Sequence, residues 1–127
     1  MSNVAGPLKE LNKRVTAAIF RAEHVVDDPA EAVAFWRQVS ALEEQIAALV
    51  PARQTEGVIA RLGAVTAALD VGDRLRAIRL ASSYMIDAPP DLADELRGLL
   101  TEARAIDALA AQLASTEIGQ AVRAGTE

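Results

Sequence analysis

The chain has 127 residues, 51% of them apolar, 3% aromatic and 24% charged, with 13 Lys and Arg against 18 Asp and Glu for a net charge of −5. This is the size of one domain able to bury a core without disulfides or metals, and the composition is that of a soluble helical chain rather than a disordered one. The acidic balance removes any sequence-independent pull towards nucleic acid or anionic lipid, and the lack of cysteine excludes disulfide frameworks, thiol catalysis, zinc ribbons and iron–sulfur sites.

The first residues show no basic segment leading into an apolar one, and no stretch has the apolar length of a membrane span, so a cytoplasmic protein is expected. Five segments then carry helical periodicity. The first, from about Leu8 to Val26, has an apolar stripe of Leu8, Leu11, Val15, Ile19, Ala22 and Val26. Asp27-Asp28-Pro29 ends it and opens the second, with Asp28 as cap, Pro29 at the first helical position and Glu31 in the first turn. That second helix runs to about Val50, with Ala32, Phe35, Val39, Leu42, Ile46 and Leu49 inward, and Pro51 prevents its continuation.

The third helix, about Gln54 to Leu69, has Val58, Leu62, Val65 and Leu69 on one side. Gly57, Ala60, Ala64, Ala67 and Ala68 form a small, nearly uncharged reverse, so it is expected to be flanked on two sides. Gly72 suits a left-handed turn and Asp73 caps the fourth helix, Arg74 to about Ile86. Apolar residues cover most of that helix and only Arg76, Arg79, Ser83 and Asp87 make a polar strip, which predicts a central position. After Ala88-Pro89-Pro90-Asp91 a fifth helix repeats Leu92, Leu96, Leu99, Ala103, Ile106, Ala110 and Leu113, a register that predicts supercoiling or a break near Arg104 to Asp107. The expected architecture is all-α: one domain over residues 1–127, a compact bundle of about five antiparallel helices, with 1–7 and about 115–127 frayed. Leu62 to Pro89 loosely resembles a tetratricopeptide hairpin, with small residues at its crossing and a proline after it.

The chain gives little purchase for chemistry. Its one histidine, His24, follows Arg21 rather than a Glu three residues before it, so the di-metal helical pattern fails and no metal site is expected. Ser82 and Ser83 have no evident base, the scattered glycines form no phosphate loop, and Glu43/Glu44 and Asp94/Glu95 read as carboxylates on solvated faces or at helix starts. No enzyme activity and no cofactor are therefore expected. A small-molecule-binding bundle is disfavoured because no polar cluster faces inward. Phe20 instead points away from the first stripe, beside Lys13, Ala17 and His24, and Trp36 sits at the flank of the second helix beside Val33. Exposed large aromatics commonly anchor protein interfaces. The candidate interface is therefore Phe20, His24, Val33 and Trp36, with Arg76 and Arg79 available to an acidic partner.

The run from Ala22 to Gln38, followed by Leu42 to Ile46 and later by Gly72 to Ala81 and Pro89 to Leu96, resembles the CATRA-associated small proteins of bacterial conflict systems, CATRA being caspase and tetratricopeptide-repeat associated. The likeness spans about Leu8 to Arg104 and carries no catalytic residues. It implies a small helical adaptor that acts beside a CATRA-bearing or protease partner by protein–protein contact. The expectation is thus a non-enzymatic interaction module accessory to a bacterial anti-phage system, without nucleic-acid or membrane partners. The alternative is a self-assembling structural subunit, a phage or assembly component that forms a homo-oligomer through the fifth helix.

Overall fold

The computed structural model describes residues 4–25 and 27–125, with side chains described as far as residue 116. Within them the chain forms five helices and no strand: α1 Ala5–His24, α2 Pro29–Leu49, α3 Thr55–Asp70, α4 Arg74–Met85 and α5 Pro90–Gly125. The turn chemistry is as the residues dictate. Asp28 accepts the Glu31 amide at 3.2 Å with Pro29 at the first helical position, and Asp73 accepts the Arg76 amide at 3.2 Å. Gly72 takes φ +78°, while the Gly72 amide reaches the Leu69 carbonyl and the Asp73 amide the Ala68 carbonyl, both at 2.9 Å. These are the paired bonds of a Schellman ending, which needs a left-handed residue where Gly72 stands. α1 begins before the expected Leu8, because Pro7 falls in its first turn, where a missing amide hydrogen costs nothing. It also ends earlier, at His24, and Val26 lies outside the described residues.

Short connections make each helix the antiparallel neighbour of the next. α1 lies on α2, α2 on α3, α4 on α5, and α3 touches both α4 and α5 as well as α2. Two apolar clusters result. One joins Leu11, Val15 and Ala18 of α1 to Val39 and Ile46 of α2 and to Ala60 and Ala67 of α3. The other joins Ala64, Val65 and Ala68 of α3 to Ala77, Leu80 and Ala81 of α4 and to Leu92, Leu96, Leu100 and Ala103 of α5. α3 is the shared wall, and its buried alanines let backbones approach from both sides.

The central helix is therefore α3, not the α4 that apolar coverage suggested. Leu75 is 73% exposed and Ile86 87% exposed, because α3 stands between α4 and the α1–α2 hairpin and the remaining side of α4 faces water. α5 neither breaks nor stays in the core. At ~1.5 Å per residue its 36 residues extend about three times as far as the 12 of α4. Arg74 at the start of α4 pairs with Asp107 at 3.2 Å, which marks where that neighbour runs out. Leu92, Leu96, Leu100 and Ala103 are buried before this point, whereas Ile106, Leu109 and Leu113 are exposed.

Two glycines give opposite expectations. A Cβ on Gly57 would stand 1.9 Å from the Pro51 carbonyl oxygen, whereas nothing lies within 4 Å of one on Gly98. Gly57→Ala is expected to destabilise the fold by about 2 kcal/mol or more through forced backbone movement. Gly98→Ala should stabilise it by roughly 0.5–1 kcal/mol through helix propensity. Denaturant unfolding followed by Trp36 fluorescence distinguishes them, and equal effects of the two substitutions would refute the assigned contact.

Candidate protein-interaction site

The six residues expected at an interface do not form one surface. Phe20 is 61% exposed in the last turn of α1 and stacks on His24, with ring centroids 4.0 Å apart and planes inclined by 21°. His24 Nδ1 lies 2.7 Å from the Phe20 carbonyl oxygen, which can only accept, so Nδ1 carries the proton. This pair is an outward aromatic patch, as the periodicity of α1 implied. Val33 and Trp36 sit at the same end of the α1–α2 hairpin but are half-buried, and Trp36 packs against the first cluster. The expected flank position of Trp36 is thus a seam position, because Ser40 and Ala47 on its side of α2 are themselves buried.

Arg76 and Arg79 lie elsewhere, on α4, and both face Glu44 of α2. Arg76 Nη2 is 2.6 Å from Glu44 Oε1 and its Nε donates to Ser40 Oγ at 2.9 Å, while Arg79 approaches Glu44 Oε2 at 4.0 Å. Ser40 in turn donates to the Ala64 carbonyl at 2.8 Å. Arg76 therefore ties α4 to α2 across the edge of α3. Arg79 remains more than half exposed.

These contacts belong to an inward polar seam, which corrects two expectations: that no polar cluster faces inward, and that Glu43 and Glu44 decorate a solvated face. Glu43 is only 8% exposed and packs beside Gly63, where a Cβ would stand 3.1 Å from its carboxyl carbon. Arg61, equally buried, donates to the carbonyls of Val50 at 2.9 Å and of Gly57 and Ala47 at 3.0 Å each. The Ala47 and Val50 carbonyls stand at the end of α2, where helical partners are lacking, so Arg61 caps α2 from within α3. Its guanidinium also lies 5.5 Å from the centre of the Tyr84 ring. Burial, together with Glu44, raises the Tyr84 hydroxyl above its usual range, and Arg61, Arg76 and Arg79 oppose that shift. A signal for Arg61 existed in the sequence, since it falls four residues after Gly57 and three before Ala64 on the small face of α3. Glu43 had none: its burial depends on Gly63 from another helix.

Ile59, Leu75 and Ile86 are exposed singly on α3 and at the ends of α4, whereas the first and last helices each carry a longer unpartnered side. An open groove of about 1080 Å³ runs along the outward side of α1 past Leu8, Asn12 and Phe20, with Glu56 of α3 in its wall. A smaller one of about 500 Å³ lies between α1 and α2. At the other extreme, Ile106, Leu109 and Leu113 line one side of α5 beyond its neighbours. Among the described residues no group of three metal-ligating side chains occurs, and no helix is long and apolar enough to cross a membrane.

Burial holds the Glu43 carboxyl at about 7, above its ordinary 4.5. The folded chain thus keeps a proton that the unfolded chain releases, so this contribution to stability is full below about 4.5 and is lost as pH rises through about 7. Glu43→Gln is expected to match the parent near pH 4 and to exceed it at pH 8 by up to about 3 kcal/mol. Denaturant titrations across pH test this, and an unchanged slope of stability between pH 5 and 7 would refute it. Comparison of the chain with protein-family models, curated proteins and solved structures gives no match.

Proposed function

We propose that this chain is a non-catalytic interaction module, a helical adaptor for a larger protein. The observation that carries the reading is the outer part of α5, where Leu109 and Leu113 are more than half exposed and Ile106 is 38% exposed on a helix that has passed its bundle neighbours. Apolar side chains three and four residues apart on a free helix are what a partner's groove or a second helix engages. The inward polar seam supports a structural rather than a catalytic role for its members: Ser40 is committed to Ala64 and Arg76, and Arg61 to three carbonyls. The resemblance to CATRA-associated small proteins supplies the partner class, a CATRA-bearing protein or protease effector of a bacterial conflict system, with the cytoplasm as the place of action.

The same stripe favours a second reading, a structural subunit that assembles through α5. Light scattering over a concentration series separates the two. A monomer or small oligomer that co-purifies with a co-expressed CATRA-bearing protein supports the adaptor, whereas a large closed oligomer formed alone assigns α5 to self-assembly. Replacing Ile106, Leu109 and Leu113 together by Ser is expected to weaken capture of the partner at least ~tenfold. The melting of the bundle should hardly move, since these side chains lie outside both buried clusters. A large loss of stability with undiminished capture would sink the reading.

A further inference from the structure

We infer that the outward side of α1 seats an acidic amphipathic helix from a protein partner. This rests on the interaction-module reading and adds to it a second surface and the chemistry of what binds there. α1 lies against α2 alone among the helix backbones and reaches α3 through side chains, as in the Asn12–Glu56 hydrogen bond of 2.9 Å. Its other side is the open groove of about 1080 Å³, with Leu8, Ala17 and Phe20 as apolar footing. Stacking on His24 and the bond from that ring to the Phe20 carbonyl hold the Phe20 ring in place before anything binds. A fixed aromatic loses little freedom on docking.

Charge selects the occupant. The chain has a net charge of −5, yet both of its lysines, Lys9 and Lys13, border this groove together with Arg21. Among the described residues none of these three is within ion-pair distance of a carboxylate, whereas Arg14 is engaged by Glu10 at 3.3 Å. The one carboxylate in the groove wall, that of Glu56, is held by Asn12. Lys13 and Arg21 also line the smaller groove between α1 and α2, so the cationic band extends around the helix. An apolar footing with three free cations calls for an apolar stripe flanked by carboxylates. Leu8 to Phe20 covers ~18 Å of helix, which matches about three turns of a partner helix. The outer part of α5 from a second copy fits poorly: between residues 104 and 116 its charged side chains are Arg104 and Asp107, and Asp107 is already paired with Arg74.

The test is fluorescence anisotropy of the full chain with a labelled helical peptide that has Leu at i, i+3, i+4 and i+7 and Glu on both flanks. A matched peptide with Lys in place of Glu is the control. The acidic peptide is expected to bind at least ~tenfold more tightly than the Lys peptide. Phe20→Ala and the pair Lys9→Glu, Lys13→Glu should each weaken it ~tenfold or more, and added salt should weaken it further. The thermal melting of these variants should stay near that of the parent, because the altered side chains are exposed. Equal binding of both peptides, or indifference to Phe20→Ala, overturns the assignment. So does binding of phosphatidylglycerol vesicles in place of the peptide, or a Phe20-dependent dimer, which would give the surface to lipid or to a second copy. If the peptide fails while capture through Ile106, Leu109 and Leu113 persists, the groove assignment falls and the module reading stands. If both fail, both fall.

Discussion

The architecture turns on one buried guanidinium. Arg61 sits inside α3 and closes the end of α2 by donating to the Ala47 and Val50 carbonyls, and to the Gly57 carbonyl one turn before itself. A buried cation costs several kcal/mol unless its hydrogens find acceptors. Helix ends offer acceptors that nothing else satisfies, so the Arg61 Nη groups and the end of α2 satisfy each other only when α2 and α3 meet in one register, although the buried Nε hydrogen finds no acceptor. Gly57 makes that register reachable, since any side chain there would collide with the Pro51 carbonyl. Tyr84 then extends the constraint to α4, its ring under Arg61 and its body against both apolar clusters.

With α2 and α3 locked, the remaining helices have limited choices. α1 can cover the free side of α2, and α4 and α5 must share the far side of α3. The outcome is a row of hairpins rather than a closed ring, and a row has two ends. At one end α1 has an outward side that no helix covers; at the other, α5 outruns α4 beyond the Arg74–Asp107 pair. Both surfaces that suit a partner are consequences of this open arrangement. The polar seam between α2 and α4 holds the row together: Arg76 reaches over α3 to Ser40 and Glu44, so the two halves are joined by hydrogen bonds as well as by alanine packing.

Much of this was legible residue by residue. The caps at Asp28 and Asp73, the stop at Pro51 and the left-handed turn at Gly72 are local events, and local sequence specifies them. The outward placement of Phe20 and His24 follows from the period of one helix. Trp36 and Glu43 were misplaced for the opposite reason: both lie on the border of their helix's apolar stripe, where a neighbour's shape decides burial. Gly63 makes room for the Glu43 carboxyl, and no periodicity within α2 contains that information. α4 misled in the same manner, because apolar residues all around a helix say that it tolerates burial and not how many neighbours it has.

The residues alone determined that this is an all-α chain of five helices, where the turns between them fall, and which stripe of most of them seeks a core, because caps, prolines, glycines and 3.6-residue spacing act within a few residues of one another. Only the tertiary structure decided that α3 rather than α4 is central, that Glu43 is interior, and that the apolar register of α5 stops being core at Ala103. Those outcomes depend on the relative lengths of packed helices and on contacts between residues far apart in the chain. The scarce aromatics thus meet two fates: Trp36 half-buried against its neighbours, and Phe20 left outside on the helix with the least cover.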